Sequence, residues 1–504
     1  MPSSLKIALA NGDGIGPEIM LATLDLFKAA GVMEAAGGVE FVPVSMGAGE
    51  FAKGNSRGMS EEAIKVVEDC GVLFKGPMET PKGGGGKSIN VTARKLWNAY
   101  ANFRVFKTLP GVETVYSKAG IQLDFSVVRE NIEDTYGGVE HRLSNDMIQC
   151  KRLISAPGSD EVHRFAFQTA RRLGVKKVFC GHKANIMKMT DGLFLERFKQ
   201  TAKDFAEIQT GDVIVDALCM NLVVRPQQYE MIVLPNLQGD IVSDLCAGLV
   251  GGLGFAPSAN IGKHISIFEA VHGTAPDIAG KGIANPTSLV LSGLMMLRHV
   301  GLTVSAAHIE NALLATLESG THTGDFGDKG KPSVGTKEFT KAIIDRLGST
   351  PKTVPAVAVP EVAGGGKTQA ASLTRPPRPL GQTVIRTFRN VVTQVVGCDI
   401  YLDSPLAPAS LAEEMNRVCE DTPFKLTLIS NRGTQVWPTG SVFTECVDYY
   451  RVRFEVREGV LPGSIGQSRT VALMDKVAES FVVCSYELLR TFDGVKGFSL
   501  AQGQ

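Results

Sequence analysis

Lys6-Ile7-Ala8-Leu9-Ala10-Asn11-Gly12-Asp13-Gly14-Ile15-Gly16-Pro17-Glu18 runs a short apolar strand into a glycine turn, and the turn into a helix. Two architectures use such a passage. A dinucleotide fingerprint needs its third glycine at position 17. Here Gly16 comes one place early and Pro17 holds the required position. The other reading is a tight strand-to-helix turn with Pro17 in the first helical turn, where its missing N–H costs nothing. Either way the segment is a strand–turn–helix unit, and the chain repeats that alternation. Residues 39–44, 72–74, 123–129, 177–180, 231–234 and 265–268 read as strands. Residues 18–30, 60–69, 160–173, 192–206, 285–300 and 306–318 read as helices. The pattern predicts an α/β architecture with helices covering a largely parallel sheet.

The alternation stops after Leu347. Residues 349–382 are rich in proline, contain Gly364-Gly-Gly366 and show no helical period, so they read as a linker or a draped arm. A second unit follows over 383–504. Its pattern of strand 394–402, helix 410–419, strands 425–430 and 449–456, helix 466–480 and strand 481–488 predicts a small α+β domain of order β-α-β-β-α-β.

Bulk properties narrow the function classes. Lys+Arg and Asp+Glu both number 52, giving zero formal net charge, which argues against nucleic-acid or membrane-surface partners. Nine cysteines show no Cys-x-x-Cys pair, so neither a zinc site nor a disulfide framework is indicated and a reducing cytoplasm fits. Residues 1–10 lack the build of a signal peptide, and no apolar run approaches the ~20 residues of a membrane span.

The chemistry gathers around Lys82-Gly-Gly-Gly-Gly-Lys-Ser88-Ile-Asn90-Val-Thr-Ala-Arg94, with Arg104 beyond it. Residues 90–102 read as an amphipathic helix with Val91, Leu96, Trp97 and Tyr100 as buried candidates. Ser88, Asn90 and Arg94 would lie at its N-terminus, where free N–H groups and the helix dipole favour anions. Gly86-Lys87-Ser88 resembles a phosphate loop, but Pro81 stands where that loop needs glycine, so the run reads instead as a closing loop or a surface turn. Asp240 and Asp244 are spaced i,i+4 and share a helical face, an oxygen pair suited to Mg²⁺ or Mn²⁺. Asp216 ends an apolar run and reads as a third, less exposed carboxylate. Arg129 and Lys183 follow strand ends, where ligands gather in α/β sheets, and Tyr136 lies close to Arg129 in sequence.

In order along the chain stand Ser88-x-Asn90-x₃-Arg94, Arg104, Val128-Arg129-Glu-Asn-x-Glu-Asp-x-Tyr136, Lys183-x-Asn185, Gly239-Asp240-x₃-Asp244 and Glu269-Ala-Val-His272-Gly-Thr-Ala-Pro-Asp277. This ordered set resembles the isocitrate dehydrogenases of the β-decarboxylating dehydrogenase family over roughly residues 5–346. The remainder resembles the extra C-terminal domain of the long bacterial forms. The resemblance implies the isocitrate/isopropylmalate dehydrogenase-type doubly wound fold, not a Rossmann fold, across residues 1–348. A large domain would take about 1–124 and 252–348, and a small domain with clasp about 125–251. It implies Thr80, Ser88, Asn90, Arg94, Arg104 and Arg129 as isocitrate ligands. Asp240 and Asp244, with Asp216 of the partner subunit, would hold Mg²⁺ or Mn²⁺. Tyr136, Lys183 and Asp216 would handle protons in a site shared across at least a homodimer. Asn185, His272, Gly273, Thr274, Ala275, Asp277, Ile278 and Asn285 would line the nicotinamide dinucleotide.

Family members using NADP place Lys-Tyr after His-Gly-Thr-Ala-Pro; here the pair is Asp277-Ile278. A carboxylate accepts hydrogen bonds from a free ribose 2′-OH and repels a 2′-phosphate, so NAD is expected. Gly324 and Asp328 stand where NADP-dependent relatives carry Tyr and Arg. Ser88 and Asn90 favour a carboxylate over an alkyl substituent, whereas homoisocitrate, one methylene longer, is separated by only ~10–200-fold. The expected activity is oxidative decarboxylation of isocitrate, as in the tricarboxylic acid cycle. A regulatory subunit and a C-terminal effector- or protein-binding module are the rivals of another class. The former loses substrate or metal ligands, and this chain keeps them.

Overall fold

The computed structural model describes residues 5–33, 38–79, 88–144, 147–328, 330–359, 391–440, 444–461 and 464–499. These fall into two units, one of residues 1–137 and 152–382, the other of 138–151 and 383–504.

In the first unit, apolar and β-branched runs make the strands of one sheet, the central ones buried on both faces and the edge strands partly exposed. They are β1 (Leu5–Ala10), β2 (Val39–Pro43), β3 (Val72–Lys75), β4 (Ala101–Lys107) and β5 (Asp124–Glu130). A hairpin, β6 (Glu140–Arg142) and β7 (Ile148–Cys150), belongs to the second unit. The first unit continues with β8 (Lys177–His182), β9 (Gln209–Ile214), β10 (Met231–Leu234), β11 (Pro257–Ile261) and β12 (Ser266–Ala270). The ten strands form one sheet in the order β2-β1-β3-β12-β11-β4-β5-β10-β8-β9. Its two wings are parallel, as expected. Its centre is not: β12/β11, β11/β4 and β4/β5 pair antiparallel. The short link from Ile261 to Ser266 allows no crossover, so β11 and β12 must fold back on each other. Helices Gly16–Ala29, Thr287–His299 and Thr303–Glu318 bury one face around Phe27, Phe74, Leu294 and Leu313.

The helix predicted over 90–102 ends early. It spans Ile89–Leu96, Asn98 takes φ 47°, and Asn102 and Arg104 lie on β4. The left-handed residue turns the chain, after which Phe103, Val105 and Phe106 favour a strand. Trp97 is buried as expected, but Leu96 is exposed. The glycine turn is the tight strand-to-helix kind. The Ile15 N–H donates to the Thr274 carbonyl at 2.9 Å. Gly14 has φ +59°, and a Cβ there would lie 2.0 Å from that carbonyl oxygen. The glycines serve backbone packing inside the protein. Part of the predicted arm is strapped down: the Asn311 side chain exchanges hydrogen bonds with the Val357 backbone, and Glu318 accepts from the N–H groups of Lys352 and Thr353.

The second unit carries β13 (Thr393–Asp403), β14 (Phe424–Asn431), β15 (Thr434–Trp437), β16 (Tyr449–Val456), β17 (Val482–Phe492) and β18 (Val495–Lys496), antiparallel in the order β15-β14-β16-β13-β17-β18. Helices Pro408–Cys419 and Gln467–Ala478 pack on it through Leu411, Met415, Leu473 and Val477. The predicted β-α-β-β-α-β order is present, with two short edge strands added. The nine cysteines are all free, and among the described residues no helix is long and apolar enough to cross a membrane.

Candidate active site

A polar stripe crosses the buried centre of the sheet. Lys75 on β3 is in register with Glu269 on β12, Glu269 with Ser258 on β11, and Ser258 with Arg104 on β4. One step along, Asn260 on β11 faces Asn102 on β4, and Asn102 faces Arg129 on β5. Strand geometry alone therefore gathers these groups on one line, and burial forces them to pair. Lys75 Nζ lies 2.5 Å from Glu269 Oε2, and Arg94 Nη2 donates to Glu269 Oε1 at 3.1 Å. Asn260 Nδ2 donates to the same carboxylate at 2.8 Å, and Asn102 Nδ2 to Asn260 Oδ1 at 2.9 Å. Arg104 Nε donates to Asn102 Oδ1 at 2.8 Å. Burial alone would raise the Glu269 carboxyl, but Lys75 and Arg94 outweigh it and hold it well below the usual carboxylate range.

The guanidinium groups converge on the Asn236–Leu249 helix. Arg129 donates through Nε and Nη2 to Asn236 Oδ1 at 3.0 and 2.8 Å, and through Nη1 to Asp240. Arg104 Nη1 donates to Ser243 Oγ at 2.7 Å and to Asp244 Oδ1 at 3.3 Å. Gly239 makes this approach possible, since a Cβ there would lie 2.6 Å from Arg129 Cγ. Tyr136, on the Asp134–Gly137 turn, donates its hydroxyl to Asp240 Oδ2 at 2.6 Å, and the Arg129 guanidinium lies 4.8 Å above its ring. Burial and repulsion from Arg94 push Arg129 down to about 10. Burial raises the Asp240 carboxyl, yet Arg129, Tyr136 and Arg104 reverse this and hold it low. Asp244, with Arg104 its main cationic neighbour, is raised by burial.

The structure thus unites Arg94, Arg104, Arg129, Tyr136, Asp240 and Asp244. Ser88 takes the N-cap position of the Ile89–Leu96 helix, and Asn90 and Arg94 follow on it. Asn90 Oδ1 and Arg94 Nε are buried without a protein partner. Thr80 and the glycine run lie outside the described residues. Lys183 and Asp216 form a separate pair, 2.5 Å apart. Asp216 was expected to be sheltered; its side chain is 68% exposed, because it opens the surface helix Val215–Val224. Asp240 and Asp244 are hard oxygen donors one turn apart and fit a divalent cation. Among the described residues no set of three or more His, Cys, Asp or Glu could hold a metal, so within one chain the pair lacks its third carboxylate.

A third group surrounds the loop after β12. Ala275 has φ 41°, and the Pro276–Ile278 turn leaves Asp277 exposed, with no side-chain cap. His272 Nε2 is buried without a protein partner. Asn285 Nδ2 donates to Asp325 Oδ2 at 3.0 Å. Glu18 accepts from the N–H groups of Gly282 and Ala284, pinning the far end of the loop to the first helix. Gly273, Thr274 and Ile278 belong to the same loop; Asn185 stands apart, exposed, near Lys183. The residues fit a dinucleotide: a backbone loop, a half-buried imidazole whose Nε2 has no partner among the described residues, and a free carboxylate.

Sequence reasoning assigned no role to Lys75, Asn102, Asn131, Ser258 or Asn260. The signal was there: polar residues at successive inward positions of otherwise apolar strands, as in Pro257-Ser258-Ala259-Asn260-Ile261.

Comparison with known proteins gives the family. The family model for isocitrate/isopropylmalate dehydrogenase matches residues 6–343, and that for the bacterial isocitrate dehydrogenase C-terminal domain matches 393–504. An isocitrate dehydrogenase [NADP] of Thermus thermophilus is 43% identical over 501 residues, covering 99% of this chain and 96% of that protein. A probable mitochondrial isocitrate dehydrogenase [NAD] subunit alpha of Drosophila melanogaster is 45% identical over 343 residues, covering 68% of this chain and 87% of that one. A crystal structure of a Thermus thermophilus protein matches with TM-score 0.87 at 42% identity, covering 99% of this chain and 96% of that chain.

Proposed function

The chain belongs to the isocitrate/isopropylmalate dehydrogenase family, and from that premise we propose that it converts isocitrate to 2-oxoglutarate and CO₂ with NAD as hydride acceptor, in sites built by two subunits. The observation that carries the reading is the convergence of Arg94, Arg104 and Arg129 with Tyr136 and Asp240 at one buried locus. Three fixed guanidinium groups match a tricarboxylate, and their forks orient it.

A bound nicotinamide would supply hydride acceptance and a divalent cation Lewis acidity; Asp240 and Asp244, with Asp216 of the partner subunit, would hold the cation. The side chains do the rest. Arg94, Arg104 and Arg129 hold the carboxylates that do not react. Lys183 of the partner subunit, paired with its Asp216, relays the C2-hydroxyl proton. Tyr136, kept protonated because burial and Asp240 raise its pKa, delivers a proton to C3 after CO₂ departs. The shared site is supported by exposed apolar residues beside the metal carboxylates: Met220, Val223 and Val224 on one helix, Leu237 and Ile241 on the other. Such an apolar patch flanking these carboxylates favours a second copy of the chain.

The two curated relatives described above divide on the cofactor, so family membership leaves the choice to the residues. Asp277 is exposed, caps nothing and follows the His272–Ala275 loop directly. A carboxylate about 4 Å from a 2′-phosphate dianion repels it by about 2 kcal/mol in bulk water, and more as water is excluded. The test is steady-state kinetics of the purified chain with isocitrate, Mg²⁺ and each cofactor. A kcat/KM for NAD at least tenfold above that for NADP is expected, and the reverse order refutes the NAD reading. The double substitution Asp277→Lys/Ile278→Tyr should shift the ratio toward NADP.

A further inference from the structure

Arg152 takes no part in the machinery above, yet it sits between two carboxylates with no side-chain exposure. Its Nε donates to Asp134 Oδ1 at 2.5 Å, its Nη2 to Asp134 Oδ2 at 3.2 Å, and its Nη1 to Asp191. Each acid then grips a different part of the site. Asp134 opens the turn that bears Tyr136, stands at φ 67°, and accepts from the N–H of Leu237 at 3.1 Å in the first turn of the Asn236–Leu249 helix. Asp191 accepts from the N–H of Lys183 itself at 2.6 Å and from Gln238 Nε2 at 2.9 Å on that same helix. Three separate pieces of chain therefore meet on one guanidinium: the Tyr136 turn, the Lys183 loop and the helix carrying Asp240 and Asp244.

We propose that Arg152, Asp134 and Asp191 form a positioning unit that fixes Tyr136 and Lys183 in one register, so that the proton donor of one active site and the proton relay of the neighbouring one are set together. The proposal rests on the two-subunit reading above, in which Tyr136 serves its own subunit's site and Lys183 its partner's. The planar fork is what the arrangement needs. It presents two edges, one to each acid, which a lysine ammonium cannot reproduce. A shift of about 1 Å in a reacting group is enough to cost on the order of 10²-fold in rate.

The test compares Arg152→Gln, Arg152→Lys and Asp191→Asn with the wild-type chain, which is first shown to turn over isocitrate. Neither Arg152 nor Asp191 lies among the proposed isocitrate or dinucleotide ligands. Arg152→Gln should therefore lower kcat by about 10–100-fold while KM for isocitrate and for NAD stays within about twofold. Supplied with oxalosuccinate, it should be slow in both reduction and decarboxylation, since the proton groups move together. Arg152→Lys should recover part of kcat. Should Arg152→Gln not fold, Asp191→Asn, which keeps the shape and an acceptor for the Lys183 N–H, should show the same kcat-only pattern. A wild-type kcat in these variants, a defect confined to KM, or loss of one partial reaction alone overturns the proposal. A wild-type chain inactive on isocitrate instead overturns the functional reading beneath it.

Discussion

Glu269→Gln is the perturbation that the buried stripe makes most predictable. In the wild type, the Lys75 and Glu269 side chains are 1% and 6% exposed and 2.5 Å apart, and Arg94 completes the cluster at 3.1 Å. Neutralising Glu269 leaves the Lys75 ammonium without a countercharge, with only neutral acceptors, the introduced amide oxygen and the Gly76 carbonyl at 3.2 Å. Removing one partner from a buried ion pair costs about 3–5 kcal/mol, because the other charge remains buried and unpaired. Arg94 also loses its anchor. A charge-assisted hydrogen bond contributes about 1.5–3 kcal/mol, so KM for isocitrate should rise by roughly 10–100-fold. Only two tryptophans are present, Trp97 in the first unit and Trp437 in the second. In a Trp437→Phe background, Trp97 fluorescence under urea therefore reports on the first unit alone. The pH dependence has a definite sign. The folded-state pKa of Glu269 is depressed, so its contribution is complete above the unfolded value of about 4.5 and is lost only as pH falls toward the lower folded value. The gap between wild type and Glu269→Gln should thus be constant from pH 8 to about 5. Adding Lys75→Met should restore part of the loss by removing the stranded cation. A loss below about 1 kcal/mol with unchanged KM, or a double variant worse than the sum of the two singles, refutes this account.

Three other outcomes are expected. Gly14→Ala places a Cβ 2.0 Å from the Thr274 carbonyl, displacing the dinucleotide loop, so KM for NAD should rise while KM for isocitrate holds; equal changes in both count against the loop's role. Glu130 is 2% exposed and burial raises it to about 7, so the folded state binds its proton more tightly than the unfolded chain does. Wild-type stability should fall by roughly 2–4 kcal/mol relative to Glu130→Gln as pH rises from about 4.5 to 7; a difference that does not vary with pH, measured by urea unfolding at pH 5 and 8, contradicts it. Asp240→Asn and Lys183→Met should each be inactive alone. Their mixture, after subunit exchange, should recover about a quarter of wild-type activity, because half the dimers then hold one intact site; recovery of none argues against a shared site.

Much of this is legible in the sequence. The wings of the sheet, the second unit's β-α-β-β-α-β order and the pairing of Asp240 with Asp244 on one face follow from periodicity, which burial enforces. The misreadings have local causes. Residues 90–102 look helical because Val91, Leu96, Trp97 and Tyr100 fit a 3.6-residue period, but a single left-handed residue, Asn98, breaks it. Asp216 looked sheltered because apolar residues surround it in sequence; in one chain several of those, Met220 and Val223 among them, are exposed. The β11–β12 hairpin is local, but its joining to β4 and β3, and with it the Lys75–Glu269 and Asn260–Asn102 contacts of the polar stripe, depends on register between strands distant in sequence, which no local pattern encodes.

That stripe also accounts for the electrostatics of the site. Lys75, Arg94, Arg104 and Arg129 face three carboxylates, Glu269, Asp240 and Asp244, leaving one positive charge in excess. The Lys183–Asp216 pair adds none. Burial, with repulsion from Arg94 and Arg104, pushes Arg129 down to about 10. A divalent cation alone would raise the excess to three; a tricarboxylate alone would leave the site with a net charge of minus two. Only the two together bring it to neutrality, and in a partly buried site that balance is worth more than it would be in water. The arginines and aspartates are therefore best understood as one device. Each set stabilises the other's ligand, and under the proposal above Arg152, by tying the Asn236–Leu249 helix to the Tyr136 turn and the Lys183 loop, holds the proposed proton-handling groups in line with those charges.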